Sequence, residues 1–276
     1  MKAKNKALGV TLSILIFAQA AVIGGTNAPS VIYAIKNPKY KVKAVNAAIS
    51  EYGGDERFVN LKTGFWNIAN NMLYDHISSP RKIKIDNSLN EEEKEAIIEV
   101  IDYINSIFSI INPKIHFEIT NDQSFNIFME KGYLRKATAE TENYYALFNN
   151  CEITSSKIIF KYDYKFEKTE FQYVLLHELM HVILGCQDVD ESKSKTISVM
   201  NYTDLQYIIN SAKNHKLETG ENFITYMPTD IASFISLYGE KGKKKEKYIA
   251  LINETLNNCK TFLQKQPYLK DEELTN

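Results

Sequence analysis

The run HELMHVILGCQD, His177 to Asp188, constrains this chain more than any other stretch. It ends a longer segment, TEFQYVLLHELMHVIL, whose length and apolar content predict a helix. From Val174 to Leu184 only His177, Glu178 and His181 are polar. A helix that apolar belongs inside a core, and polar groups carried into a core need partners. Thr169 with Gln172 fits a capping box at its start, and Gly185 fits the residue just past its end.

On a helix, residues four apart share a face, with Cβ atoms about 5–6 Å apart. His177 and His181 can therefore aim both imidazoles at one metal ion, and zinc suits such a pair. Glu178, beside His177, can reach a water on that ion without being a ligand, and so serve as general base. This is the H-E-x-x-H logic of zinc peptidases. The same pattern also arises by chance on ordinary amphipathic helices; here the apolar surroundings favour a metal as the partner of the histidines.

Two further stretches give the motif a family. SVMNY places Met200 about 19 residues after His181, and DIASFISLYG follows as a terminal helix. Together with HELMHVILGCQD they resemble the metzincins, the zinc endopeptidases that include astacins, serralysins and matrix metalloproteinases, over roughly residues 82 to 240. The resemblance implies an α+β zincin fold: a mixed twisted sheet, two long helices including the active-site helix, and an irregular C-terminal subdomain with a Met-turn and terminal helix. It implies Zn2+ as cofactor, a protein or peptide as substrate, and Met200 as the hydrophobic floor of the metal site. Tyr202 matches a tyrosine that in astacins and serralysins binds the metal or stabilises the oxyanion. ENYYALFNN, before the active-site helix, becomes the candidate edge strand for an extended peptide.

The match departs from the family at one point. Three residues, Val182, Ile183 and Leu184, separate His181 from Gly185, where the family has two. Counting from the histidine puts Gln187 at the third ligand position; counting from the glycine restores G-x-x-D and puts Asp188 there. The extra residue rotates the helix exit by about 100°, which a tightened last turn can absorb. Asp188 is the expected third ligand, with Asp190 and the remote Glu218 or His215 as alternatives.

The N-terminus carries Lys2, Lys4 and Lys6, an apolar run, and small residues at its end, as secretory signals do. AQA, ending at Ala20, is the expected cleavage site, with Ala28 a second option and an uncleaved anchor the alternative. Residues 1–20 are thus expected as a signal peptide, 21–80 as an N-terminal extension or propeptide, 81–240 as the catalytic domain and 241–276 as a helical appendage. Cys151, Cys186 and Cys259 form no disulfide framework. Sparing cysteine with abundant Lys, Asn, Ile and Tyr suits secretion from a Gram-positive type of bacterium. The net charge of -1 gives no reason to expect nucleic acid as a partner, and no stable membrane span is expected after signal removal. YGGD, Tyr52 to Asp55, resembles the astacin prosegment motif whose Asp occupies the metal, and is also an ordinary turn. His76 and His116 have no motif around them.

Elsewhere RKIKID, KIHFEIT, SFNIFME, ENYYALFNN and SKIIFKYDY read as strands. NSLNEEEKEAIIEVIDYINSIFSII reads as a long amphipathic helix capped by Asn87 or Ser88, stopped by Pro113, with residues 97, 98, 101, 104, 108 and 111 on its apolar face. TDIASFISLYG, capped by Thr229, and a stretch from about Tyr248 to Gln264 read as further helices. The expected function is a secreted zinc endopeptidase; the alternatives are a non-catalytic exported binding protein and a zinc amidase acting on cell-wall peptide.

Overall fold

The computed structural model describes residues 81–145, 153–184, 188, 197–239 and 245–263. The signal and propeptide expectations, Asp55, His76, Cys151, Cys186, Gln187 and Asp190 lie outside these residues.

Strict alternation builds the sheet. In β1 (Arg81–Ile85) Ile83 is fully buried, while the lysines on either side face away from the core. β1 sits between β2 (Phe117–Ile119) and β3 (Ile127–Gly132), parallel to both. β3 pairs in parallel with β5 (Ile153–Lys161), and β4 (Ala139–Tyr145) runs antiparallel along β5. The order β2-β1-β3-β5-β4 leaves β4 as an edge strand. Register aligns Ile83 with Ile127, and Met129 with Ile158, so one sheet face is continuously apolar. Gly132 is needed where β3 meets β5: a Cβ there would lie 2.6 Å from the Ile159 side chain.

Helix α1 (Glu91–Ile111) begins at Asn90, whose side chain accepts from the Glu93 amide while Glu93 accepts from the Asn90 amide. The cap is therefore Asn90 rather than Asn87 or Ser88, because its acid partner three residues on closes a reciprocal box. The Ser88 hydroxyl instead accepts from the Lys131 amide. Residues 97, 101, 104, 108 and 111 are buried as expected, but Ile98 is 47% exposed and Val100 takes its place in the core. The helix stops one residue before Asn112, ahead of Pro113.

Helix α2 (Lys168–Leu184) lies over the same sheet face, with Phe171 against Phe160 at 4.6 Å between ring centroids. Thr169 and Gln172 are inside this helix and do not form a capping box. The Thr169 hydroxyl donates to Asn222, and the Gln172 amide to Glu99 on α1, so both join a polar seam between helices. The first helical amide bond runs from Phe171 to the Glu167 carbonyl.

The region after Gly185 is more helical than the sequence reading allowed. α3 (Tyr202–Thr219) starts at the Asn201 cap and ends at Gly220, whose φ of 77° suits glycine. α4 (Pro228–Tyr238) is capped at Met227 with Pro228 in its first turn, so Thr229 is not the cap. The Met227 amide donates to Asp230 instead, which is one half of a capping box. α5 (Lys245–Leu263) packs Tyr248, Leu251, Thr255, Cys259 and Leu263 inward at helical spacing. The molecule is thus α+β, a five-stranded mixed sheet with five helices among the described residues.

Candidate metal centre

Helix α2 is held from several sides by hydrogen bonds to its own carbonyl oxygens. Tyr226 donates to Leu176 at 3.1 Å, Asn143 of β4 to His181 at 3.1 Å, and Tyr238 of α4 to Ile183. The Leu176 carbonyl already serves the helix ladder, while those of His181 and Ile183 lie in the last turn, where helix carbonyls lack intrahelical partners. These donors therefore set the position and roll of α2 without unravelling it. That roll fixes where the histidines point.

His177 and His181 lie one turn apart, with rings nearly perpendicular (89°) and centroids 4.8 Å apart. Their Nε2 atoms are 3.2 Å apart, and each is 3.2 Å from Oδ1 of Asp188. Three ligand atoms therefore form an equilateral triangle. A tetrahedral zinc ion with bonds of about 2.0 Å needs ligand atoms about 3.3 Å apart, so the donor set fits such an ion in type and in spacing.

The protonation pattern points the same way. Nδ1 of His177 lies 2.8 Å from the Val199 carbonyl oxygen. A carbonyl only accepts, so Nδ1 carries the proton and Nε2 of the neutral ring offers a lone pair. That lone pair faces a carboxylate oxygen and a second imidazole nitrogen. Three acceptors around one point repel unless a cation or a proton lies between them. With no cation in place, burial raises the carboxyl pKa of Asp188, but imidazoles of His177 and His181 that carry a proton on Nε2 outweigh it and hold the group well below the usual carboxylate range. A cation takes over that role when the Nε2 atoms are bare.

Val199 belongs to the turn Ser198–Asn201, closed by the Asn201 amide on the Ser198 carbonyl. Val199 and Met200 are fully buried. Asp230 of α4 anchors the turn, accepting from the Ser198 hydroxyl at 2.7 Å and the Val199 amide at 3.2 Å. Ser198 in turn accepts from the Met200 amide at 3.0 Å. Burial pushes the Asp230 carboxyl up to about 7, against the lowering effect of hydrogen bonds from Ser198, Met227 and Val199. SVMNY thus shapes the carbonyl that orients His177, while the Met200 side chain is fully buried in the hydrophobic core.

Glu178 is 4% exposed and its carboxylate accepts from the Thr141 hydroxyl of β4 at 2.7 Å. Tyr202 is 64% exposed on the first turn of α3, and among the described residues no hydrogen bond joins it to Glu178 or either histidine. His215 meets Phe223 edge-on at 5.8 Å between ring centroids and stands outside the His177, His181, Asp188 group, as does Glu218. His116 is exposed, and Cys259 is a buried free thiol.

Sequence reasoning missed Thr141, Asn143 and Ser156. The last donates to Asn143 at 2.6 Å and fixes the amide that reaches α2. Their one signal was small polar residues at inward positions of strands that otherwise place apolar side chains there. Comparison of this chain with protein-family models, curated proteins and solved structures found no match. No described helix is long and apolar enough to cross a membrane.

Proposed function

We propose that this chain is a secreted zinc-dependent endopeptidase of metzincin type, with His177, His181 and Asp188 as ligands and Glu178 as general base. The observation that carries the reading is the triangle of Nε2, Nε2 and Oδ1 atoms, each 3.2 Å from the next, with a buried carboxylate on the adjoining helix residue. Zinc bound there would supply an acidified water and an electrophile for the carbonyl to be attacked.

The remaining steps belong to the protein. Glu178 takes a proton from the attacking water and later hands it to the leaving amine, so no covalent acyl-enzyme forms. The Val199 carbonyl keeps His177 in the tautomer that presents Nε2. β4, an edge strand, offers main-chain groups to an extended peptide. The strand covers Glu142–Tyr145 of the stretch expected from sequence and starts earlier, at Ala139. Tyr202, exposed at the start of α3, is a donor for the oxyanion only if substrate or a side-chain rotation brings the two together.

A mixed peptide library, incubated with wild-type protein and with Glu178→Gln in zinc-containing buffer, tests the reading. Cleavage by the first and not the second supports it. Equal cleavage by both would point to a different base, and release of cell-wall fragments without peptide cleavage would favour an amidase.

A further inference from the structure

We infer that Thr141 is a positioning residue for Glu178, holding one oxygen of the carboxylate so that the other faces the reacting water. The inference rests on the peptidase reading and adds to it a residue outside the motifs.

Alternation along β4 turns Ala139, Thr141 and Asn143 toward α2, and Glu142 and Tyr144 away, where they bond each other. The Thr141 hydroxyl lies 2.7 Å from Oε2 of Glu178 and 3.2 Å from the Glu178 carbonyl oxygen. A hydroxyl has one proton to give. The shorter contact and the charged acceptor both assign it to the carboxylate. Oε1 of Glu178 then has no partner among the described residues, and it is the oxygen left to receive a proton.

The strand is itself fixed at this point. Asn143 donates to the His181 carbonyl at 3.1 Å and receives the Ser156 hydroxyl at 2.6 Å. β4 is therefore keyed to α2 at two successive inward positions, one on the backbone of a ligand and one on the base. A buried Glu side chain has three rotatable bonds, and a single hydroxyl on a pinned strand removes much of that freedom. A base displaced by even 1 Å from its target loses a large part of its effect.

Thr141→Val keeps the β-branched shape that suits a strand and deletes only the hydroxyl. The test measures kcat, KM and zinc content on the peptide that wild-type protein cuts fastest from a mixed library. Thr141→Val should lower kcat about ten- to a hundredfold with KM and zinc content unchanged, and Thr141→Ser should restore most of the rate. Placed on Glu178→Gln, Thr141→Val should add no further loss, because both changes act through one carboxylate. A Thr141→Val enzyme with wild-type kcat would overturn the inference while leaving the peptidase reading intact. So would a loss that Thr141→Ser fails to repair, or one that adds in full to Glu178→Gln. Absence of any cleavage by the wild-type chain would remove the peptidase reading and this inference with it.

Discussion

The carbonyl oxygen of Val199 lies 2.8 Å from Nδ1 of His177, joining a turn twenty-two residues downstream to the first histidine of the motif. The contact dictates the tautomer, since a carbonyl can only accept. In nitrogen-15 spectra of zinc-loaded protein, His177 should appear with its proton on Nδ1 and with Nε2 unprotonated and shifted as a metal-bound nitrogen. A proton on Nε2 would contradict the arrangement.

Asp230 anchors that turn from inside the core, and its carboxyl titrates near 7 rather than at its ordinary value of 3.8. The folded state therefore binds more protons than the unfolded state between about pH 4 and 7, and this group's contribution to stability falls as pH rises through that window. Asp230→Asn removes the effect. Urea unfolding of both proteins should show the variant gaining on the wild type from about pH 4 to 7 and holding level above it. A constant difference across the range would mean that Asp230 does not titrate there.

Asn90 and Glu93 tie α1 to the sheet. They cap each other's amides, and Glu93 also meets Lys131 of β3 at 2.7 Å with both side chains largely buried. Asn90→Ala should cost about 1 kcal/mol, the usual loss for a cap. Glu93→Ala should cost about 3 kcal/mol or more, because it also strands a buried ammonium. Denaturant midpoints measure both; equal losses would show that the ion pair contributes little beyond the cap.

Much of the fold was legible because its elements carry strong periods. RKIKI alternates, α1 repeats its apolar residues every three or four positions, and α2 is apolar nearly all round. Helix α3 was missed although Leu205, Ile208, Ile209 and Ala212 mark a buried stripe, since the rest of the segment is polar. Caps slipped by two or three residues where two candidates stood close, as Ser88 did to Asn90. At the site, helical spacing brings His177 and His181 together, and counting from Gly185 singles out Asp188. Thr141 was invisible, because pairing a hydroxyl on a strand with a carboxylate thirty-seven residues later depends on register.

The central claim is that His177, His181 and Asp188 hold zinc, and equilibrium dialysis against zinc tests it most directly. Wild-type protein and Glu178→Gln should each retain one zinc per chain, since the glutamate is not a ligand. Asp188→Ala should bind more than about tenfold more weakly, the loss of a direct ligand exceeding that typical of an outer one. Zinc held as tightly by Asp188→Ala as by wild type, or no zinc held by the wild type, would contradict the account.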